Sequence, residues 1–408
     1  MKLTENNKGR TWHVLMTMLV FSICVKLFFS IVIKEYSEDQ DSTYRIVYYL
    51  ADLPVLFLSV FHIIVSRRYF KQEYYLKVMK TLFVMFVLVI LAVVSSMSKG
   101  VSMITAVNSQ LKIFLPILML IGFNMFPYRA RLNRGVGVMT ILILLISIYA
   151  FLFLEPSRNR DAYYWPIYFS GLHTHAYVVF ASFVFIHFYF FSIARMRKIT
   201  LLVSFLFALI LGYGYGVRTS LMCLVTYLFV FYANNGKWFL VKKSSILFGL
   251  SFLLIVFLFF IADNIDLLTF DGFSSGRLSE YVSRFEFIRN RDVMGTIFGS
   301  GAGSDIMYSE TWWWEDKGSH NDYLTLIIEF GFLYLLLFLM FIRRLIKLFS
   351  GNFTAYGVFG AYLISSLISN GFMFRPMAAY VLFLSLISIN VFLSNQVRQN
   401  GDESLITS

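Results

Sequence analysis

The chain has 408 residues, 58% hydrophobic and 14% charged, with a formal net charge of +12. An ordinary soluble domain is about one quarter charged, so this composition excludes a soluble globular enzyme and calls for lipid as the solvent. The positive residues fall in short clusters between apolar runs, which is the pattern of membrane orientation rather than of nucleic-acid binding. Cys24 and Cys223 both lie within apolar runs, so neither a disulfide framework nor a thiolate metal site is expected.

Windows of about 20 apolar residues place the first spans near 11–33, 46–66, 78–98, 104–126 and 135–154. The first is too long for a signal-peptide core and ends without a small-residue cleavage site, so it reads as a retained helix. Arg67, Arg68 and Lys71, and then Arg129, Arg131 and Arg134, mark the cytoplasmic side. The acidic stretch 34–45 and the tract 155–174 fall on the opposite side. Lys26 and Lys112 lie inside spans, where an ionisable group needs a partner, a polar groove or a reach to the headgroups.

Further spans are expected near 174–194, 199–216, 218–234 and 244–263, with Arg195, Arg197 and Lys198, and Lys237, Lys242 and Lys243, in cytoplasmic connections. His173 and His175 stand near the outer face without the cysteine or carboxylate cluster of a metal site. Two spans nearly run together at Gly212-Tyr-Gly-Tyr-Gly-Val-Arg218. A re-entrant bend there would need protein or a water-filled cavity around it. Arg218 is then a lone outer arginine, either at the rim of that cavity or snorkelling to headgroups.

Residues 263–321 form the long connection between the ninth and tenth spans. A connection of this length is functional or disordered; Trp312, Trp313 and Trp314 and the amphipathic piece Leu278 to Arg289 argue for a small, partly helical cap. Arg277 opens that piece, and Arg284, Arg289 and Arg291 follow. Planar guanidinium forks grip pyrophosphate oxygens bidentately, although Arg289 and Arg291 are expected on a solvated face. The run Phe298-Gly-Ser-Gly-Ala-Gly-Ser304 reads as a tight turn, since no Lys-Ser or Lys-Thr follows it as in a phosphate loop. His320, in Gly318-Ser-His-Asn-Asp-Tyr-Leu324, has the side chain of a general base. Asn321 and Asp322 are alternatively helix caps, and His320 an interface residue.

The last spans fall near 322–342, 353–373 and 376–394, with Arg343, Arg344 and Lys347 cytoplasmic. Glu329 lies within the tenth, where a carboxylate faces a bundle interior or cavity and needs a partner. The fold class expected is all-α: a polytopic transmembrane bundle of about twelve spans. Residues 1–408 then form one integral membrane domain with both termini cytoplasmic and the large loop 263–321 outside.

The order Val217-Arg-Thr-Ser220, Ser275-Gly-Arg277, Phe298-Gly-Ser-Gly301, Ser319-His-Asn321 and Glu329-Phe-Gly331 resembles the O-antigen ligase and O-antigen polymerase superfamily over roughly the C-terminal half. The resemblance implies a bacterial inner-membrane glycosyltransferase with a periplasmic active face, taking undecaprenyl-pyrophosphate-linked oligosaccharide as substrate. It assigns pyrophosphate binding to Arg218 and Arg277 and catalysis to His320; Arg284 joins the arginines by its place on the same helix. Arg160, Asn321 and Glu329 are further candidate substrate contacts. No cofactor, metal or nucleic acid is implied, and a chain-length regulator is a candidate partner protein.

Tyr334 and Leu335 stand where the ligase pattern has a second Gly and a Thr, and the ten residues between Arg160 and Gly171 resemble a polymerase arginine motif, so polymerase is favoured. The alternatives are a ligase transferring glycan to lipid A core, and a non-enzymatic flippase for the lipid-linked oligosaccharide.

Overall fold

Apolar residues covering several sides of a helix need lipid as well as protein around them. In the computed structural model six helical segments among the described residues are long and apolar enough to cross a membrane: Gln72–Ser98, Met103–Asn124, Leu132–Phe153, Leu172–Ser192, Arg197–Gly214 and Asp322–Lys347. Phe83, Phe86, Ile90 and Val94 on the first, and Ile141, Leu145, Ile148 and Leu152 on the third, are exposed. Apolar surface on this scale is untenable in water, and the chain is an α-helical membrane protein. The structure describes residues 5–32, 50–67, 72–124, 132–159, 162–166, 169, 172–193, 196–234, 277–309, 315–349 and 352–399.

In chain order the elements are α1 (Glu5–Val32), α2 (Asp52–Ser66), α3 (Gln72–Ser98), α4 (Met103–Asn124), α5 (Leu132–Phe153), β1 (Ser157–Asn159), β2 (Ala162–Tyr164), α6 (Leu172–Ser192), α7 (Ile199–Leu209) and α8 (Arg218–Asn234), followed by α9 (Arg277–Arg289), α10 (Val293–Phe298), β3 (Met307–Ser309), β4 (Glu315–Lys317), α11 (Asp322–Lys347), α12 (Phe353–Ile368) and α13 (Pro376–Gln399). Eleven of the expected spans each overlap a helix; the ninth, 244–263, lies outside the described residues. The described part of 263–321 is α9, α10 and the antiparallel hairpin β3–β4. Trp312, Trp313 and Trp314 lie outside the described residues.

The helices group into two compact units. The first takes the described residues within Met1–Gln72, Leu115–Leu224 and Pro376–Ser408. At its centre α13 packs along α6, with α1 and α5 also against α13. Small side chains permit this close packing: Ala176, Ala181 and Ser182 on α6, and Ala378, Ala379, Ser385 and Ser388 on α13, are all buried. Ser385 Oγ donates to the Ala181 carbonyl at 3.3 Å. Gly122 is required where α4 meets α2, because a Cβ there would stand 2.8 Å from the Ser59 carbonyl oxygen.

The second unit takes the described residues within Glu73–Phe114 and Val225–Arg375. Here α11 packs against α10 and α12. Tyr334 on α11, fully buried, donates its hydroxyl to Gln110 Oε1 on α4 at 2.6 Å.

Candidate functional site

The sequence reads the tenth span as one uninterrupted helix, and the structure breaks it. Gly331 has φ 85° and ψ 173°, so α11 is two helical pieces joined at that residue. A break of this kind deprives the preceding carbonyls of their i+4 donors, and buried carbonyls must be satisfied otherwise. The loop Phe298-Gly-Ser-Gly301 supplies the donors: the Ser300 amide reaches the Ile328 carbonyl at 3.0 Å and the Gly301 amide the Glu329 carbonyl at 2.8 Å. Arg291 Nη1 donates to the Ile328 carbonyl at 2.9 Å. The approach is backbone to backbone. A Cβ on Gly299 would stand 2.3 Å from the Glu329 carbonyl oxygen, and one on Gly331 would stand 2.1 Å from that of Ile297.

The same loop gives Glu329 its partner. Its Oε1 accepts from the Gly303 amide at 2.8 Å, and Lys112 of α4 acts on it electrostatically. Ser95 and Ser96 of α3 bind the loop from the other side, Ser95 Oγ donating to the Phe298 carbonyl and Ser96 Oγ accepting from the Ala302 amide. Arg291, expected on a solvated face, instead follows α9, stacks over the Phe287 ring at 4.3 Å and caps the broken helix. Burial pulls its pKa below the ordinary arginine value, with the Asp305 charge acting in the opposite direction. An arginine still keeps its proton under such a shift.

The head of α11 is held by two buried carboxylates. Asp305 Oδ2 accepts from the Ser319 amide at 2.9 Å, from Ser319 Oγ at 3.0 Å and from Thr325 Oγ1 at 2.7 Å. Asn321 is the N-cap, its Oδ1 accepting from the Leu324 amide at 3.1 Å, while its Nδ2 donates to the Leu367 carbonyl at 2.9 Å. Asp322 Oδ2 accepts from the Gly371 amide at 3.0 Å, and the buried Arg375 acts on the same carboxyl. The other oxygens, Asp305 Oδ1 and Asp322 Oδ1, are buried without a hydrogen-bond partner among the described residues. Between these anchors His320 sits with φ 51°, the single non-glycine residue with positive φ among the described residues. Such strain persists where the surroundings over-determine it, and it concentrates at functional sites.

Of the arginines singled out in the sequence, Arg277 opens α9 as expected. Arg284, two turns on, is 1% exposed and pairs with Glu280 at 2.5 Å. Arg218 belongs to the first unit and starts α8, half-buried, after a π-helical segment Ile210–Gly214 that ends α7. The glycine junction before it is therefore a real interruption. The Trp165 amide donates to the Gly214 carbonyl at 2.8 Å, and the Trp165 ring lies where a Cβ on Gly214 would be. Arg160 lies outside the described residues.

Sequence reasoning missed Asp305 and Arg375, and treated Asp322 only as a cap. Arg375 carried the same signal as Arg218, a lone arginine between two apolar runs. Asp305 carried none, since a loop aspartate reveals its importance only through what it binds. It also missed the partner of Lys26: Nζ meets Asp52 Oδ2 at 2.5 Å, and Tyr380 donates to the other Asp52 oxygen at 2.8 Å. His175 is a buried ring packed on Tyr215 at 4.6 Å.

Against known proteins, the chain matches no family model and no curated sequence.

Proposed function

We propose that the chain is a membrane glycosyltransferase that polymerises undecaprenyl-pyrophosphate-linked oligosaccharide repeat units of O-antigen or a related surface polysaccharide, working on the periplasmic face of a bacterial inner membrane through about twelve spans. The observation that carries this reading is the anchoring of His320: a histidine in a left-handed conformation, between a serine fixed by Asp305 and an asparagine that caps α11. The interlock of the Phe298-Gly-Ser-Gly301 and Glu329-Phe-Gly331 motifs supports it, because two distant sequence signals serve one platform. Tyr334, filling with a buried ring the position of the second glycine of the ligase pattern, supports polymerase over ligase.

In this scheme an acceptor hydroxyl attacks the anomeric carbon of the donor sugar. Its proton passes to neutral His320 as the new glycosidic bond forms, and the bond to the pyrophosphate breaks. Undecaprenyl pyrophosphate leaves with the bonding electrons, and the resemblance assigns the stabilisation of its developing negative charge to Arg218 and Arg277. The pyrophosphate leaving group carries the activation, so the scheme uses neither nucleotide nor metal. Purified protein in vesicles without an ion gradient, given defined lipid-linked repeat units, is expected to lengthen them. Failure to lengthen them, together with their movement across the bilayer, would identify a flippase; extension of lipid A core alone would identify a ligase.

A further inference from the structure

Away from the platform around His320, the early turns of α3 and the last turns of α11 enclose an open cavity of about 670 Å³. Lys77 and Lys80 line it from α3, and Arg343, Arg344 and Lys347 from α11, with Met340 at its apolar end. Among the described residues no carboxylate lines it; Glu73, one turn back on α3, pairs with Lys77 at 2.9 Å. Five cations converging on one cavity repel one another, an arrangement that an anion relieves. Opposing helices bring these basic ends to one boundary of the membrane, where anionic headgroups are found. Next to the cavity both helices turn apolar side chains outward: Met79 and Phe83 on α3, Leu336 and Leu339 on α11, all exposed.

We propose that this cavity is a binding site for an anionic diacyl phospholipid. The headgroup phosphate sits among the lysines and arginines, and the acyl chains run along the outward apolar faces of α3 and α11. Arginines on one wall give a fork for phosphate oxygens, and lysines on the other give point charges. A soluble phosphate compound shares the headgroup chemistry but has nothing to place on Phe83 or Leu336, and on that ground the site is assigned to lipid. The site is independent of the transfer activity proposed above.

The test is native mass spectrometry of the full-length chain in detergent, titrated with dioleoylphosphatidylglycerol, with dioleoylphosphatidylcholine and with free glycerol 3-phosphate. Phosphatidylglycerol is expected to bind selectively. Each cation near an anionic lipid surface changes affinity about fivefold, so Arg343→Gln with Arg344→Gln is expected to lower affinity about 25-fold. Lys77→Gln with Lys80→Gln, on the other helix, is expected to act similarly and serves if the first pair folds poorly. Arg343→Lys with Arg344→Lys should keep most of the binding, as should the control pair Arg197→Gln with Lys198→Gln. Equal retention of the two lipids, or unchanged phosphatidylglycerol binding in both glutamine pairs, would overturn the proposal. Binding of glycerol 3-phosphate as tight as that of the lipid would overturn it in favour of a soluble anion.

Discussion

His320 concentrates the chemistry and the strain of the platform in one residue. An L-residue in the left-handed region costs roughly 1 to 2 kcal/mol, a cost glycine does not bear. His320→Gly therefore separates folding from function: its thermal midpoint in detergent should equal or exceed that of the unaltered protein, while turnover falls by about 10²- to 10⁴-fold, the contribution of a positioned general base. Binding of the lipid pyrophosphate donor should stay near native, since the guanidiniums remain. A clear loss of stability would make the histidine a structural plug, and a clear loss of donor affinity would move it to the pyrophosphate. That His320 heads a helix was legible, because Asn321 stands just before an apolar run and does cap α11. The role of Arg291 was not, because the carbonyls it binds are open only after α11 breaks, 36 and 37 residues further on.

Among the elements, α11 is the one whose sequence conceals most. Gly331 lies within an apolar run, so periodicity carries the helix through it, and only the loop of α10 explains why the helix stops. Gly299 and Gly331 form a matched pair, and each must lack a side chain for the backbone just before the other to approach. Gly331→Ala is expected to cost about 2 to 5 kcal/mol, from the positive φ together with overpacking against the Ile297 carbonyl. Gly303→Ala is the internal comparison. Its φ is +84° but a Cβ there meets nothing within 4 Å, and its amide can still donate to Glu329. Only the backbone cost of about 1 to 2 kcal/mol applies there. Thermal unfolding in detergent should rank the two in that order; equal costs would mean the interlock relaxes freely. The helices at both ends of the chain were easier to read, because unbroken apolar length sets them. The hairpins β1–β2 and β3–β4 were invisible, since strands of three residues are too short to carry a period.

On the scale of the whole molecule, one buried ion pair ties the two ends of the chain together. Lys26 of α1 meets Asp52 of α2, and Tyr380 of α13 both donates to Asp52 and lies under the Lys26 ammonium at 5.6 Å. The sequence showed Lys26 as an unexplained charge within a span; its partners lie 26 residues on and near the opposite end of the chain, beyond any local pattern. The two charges are not equivalent. The Lys26 side chain is 1% exposed, whereas that of Asp52 is 23% exposed and keeps the Tyr380 hydroxyl if the lysine is removed. Asp52→Asn strands an ammonium that cannot reach water and is expected to cost about 3 kcal/mol, since breaking a buried pair from one side leaves an uncompensated charge. Lys26→Met should cost less. The double variant Lys26→Met with Asp52→Asn removes both charges and keeps an acceptor for Tyr380, so it should recover most of the loss, because well-packed apolar replacements of buried pairs are often close to neutral. The measurement is a double-mutant cycle on apparent unfolding in detergent. A double variant at the sum of the two single losses, or Asp52→Asn as stable as the unaltered protein, would mean that the ends of the chain are held by the packing of α13 alone.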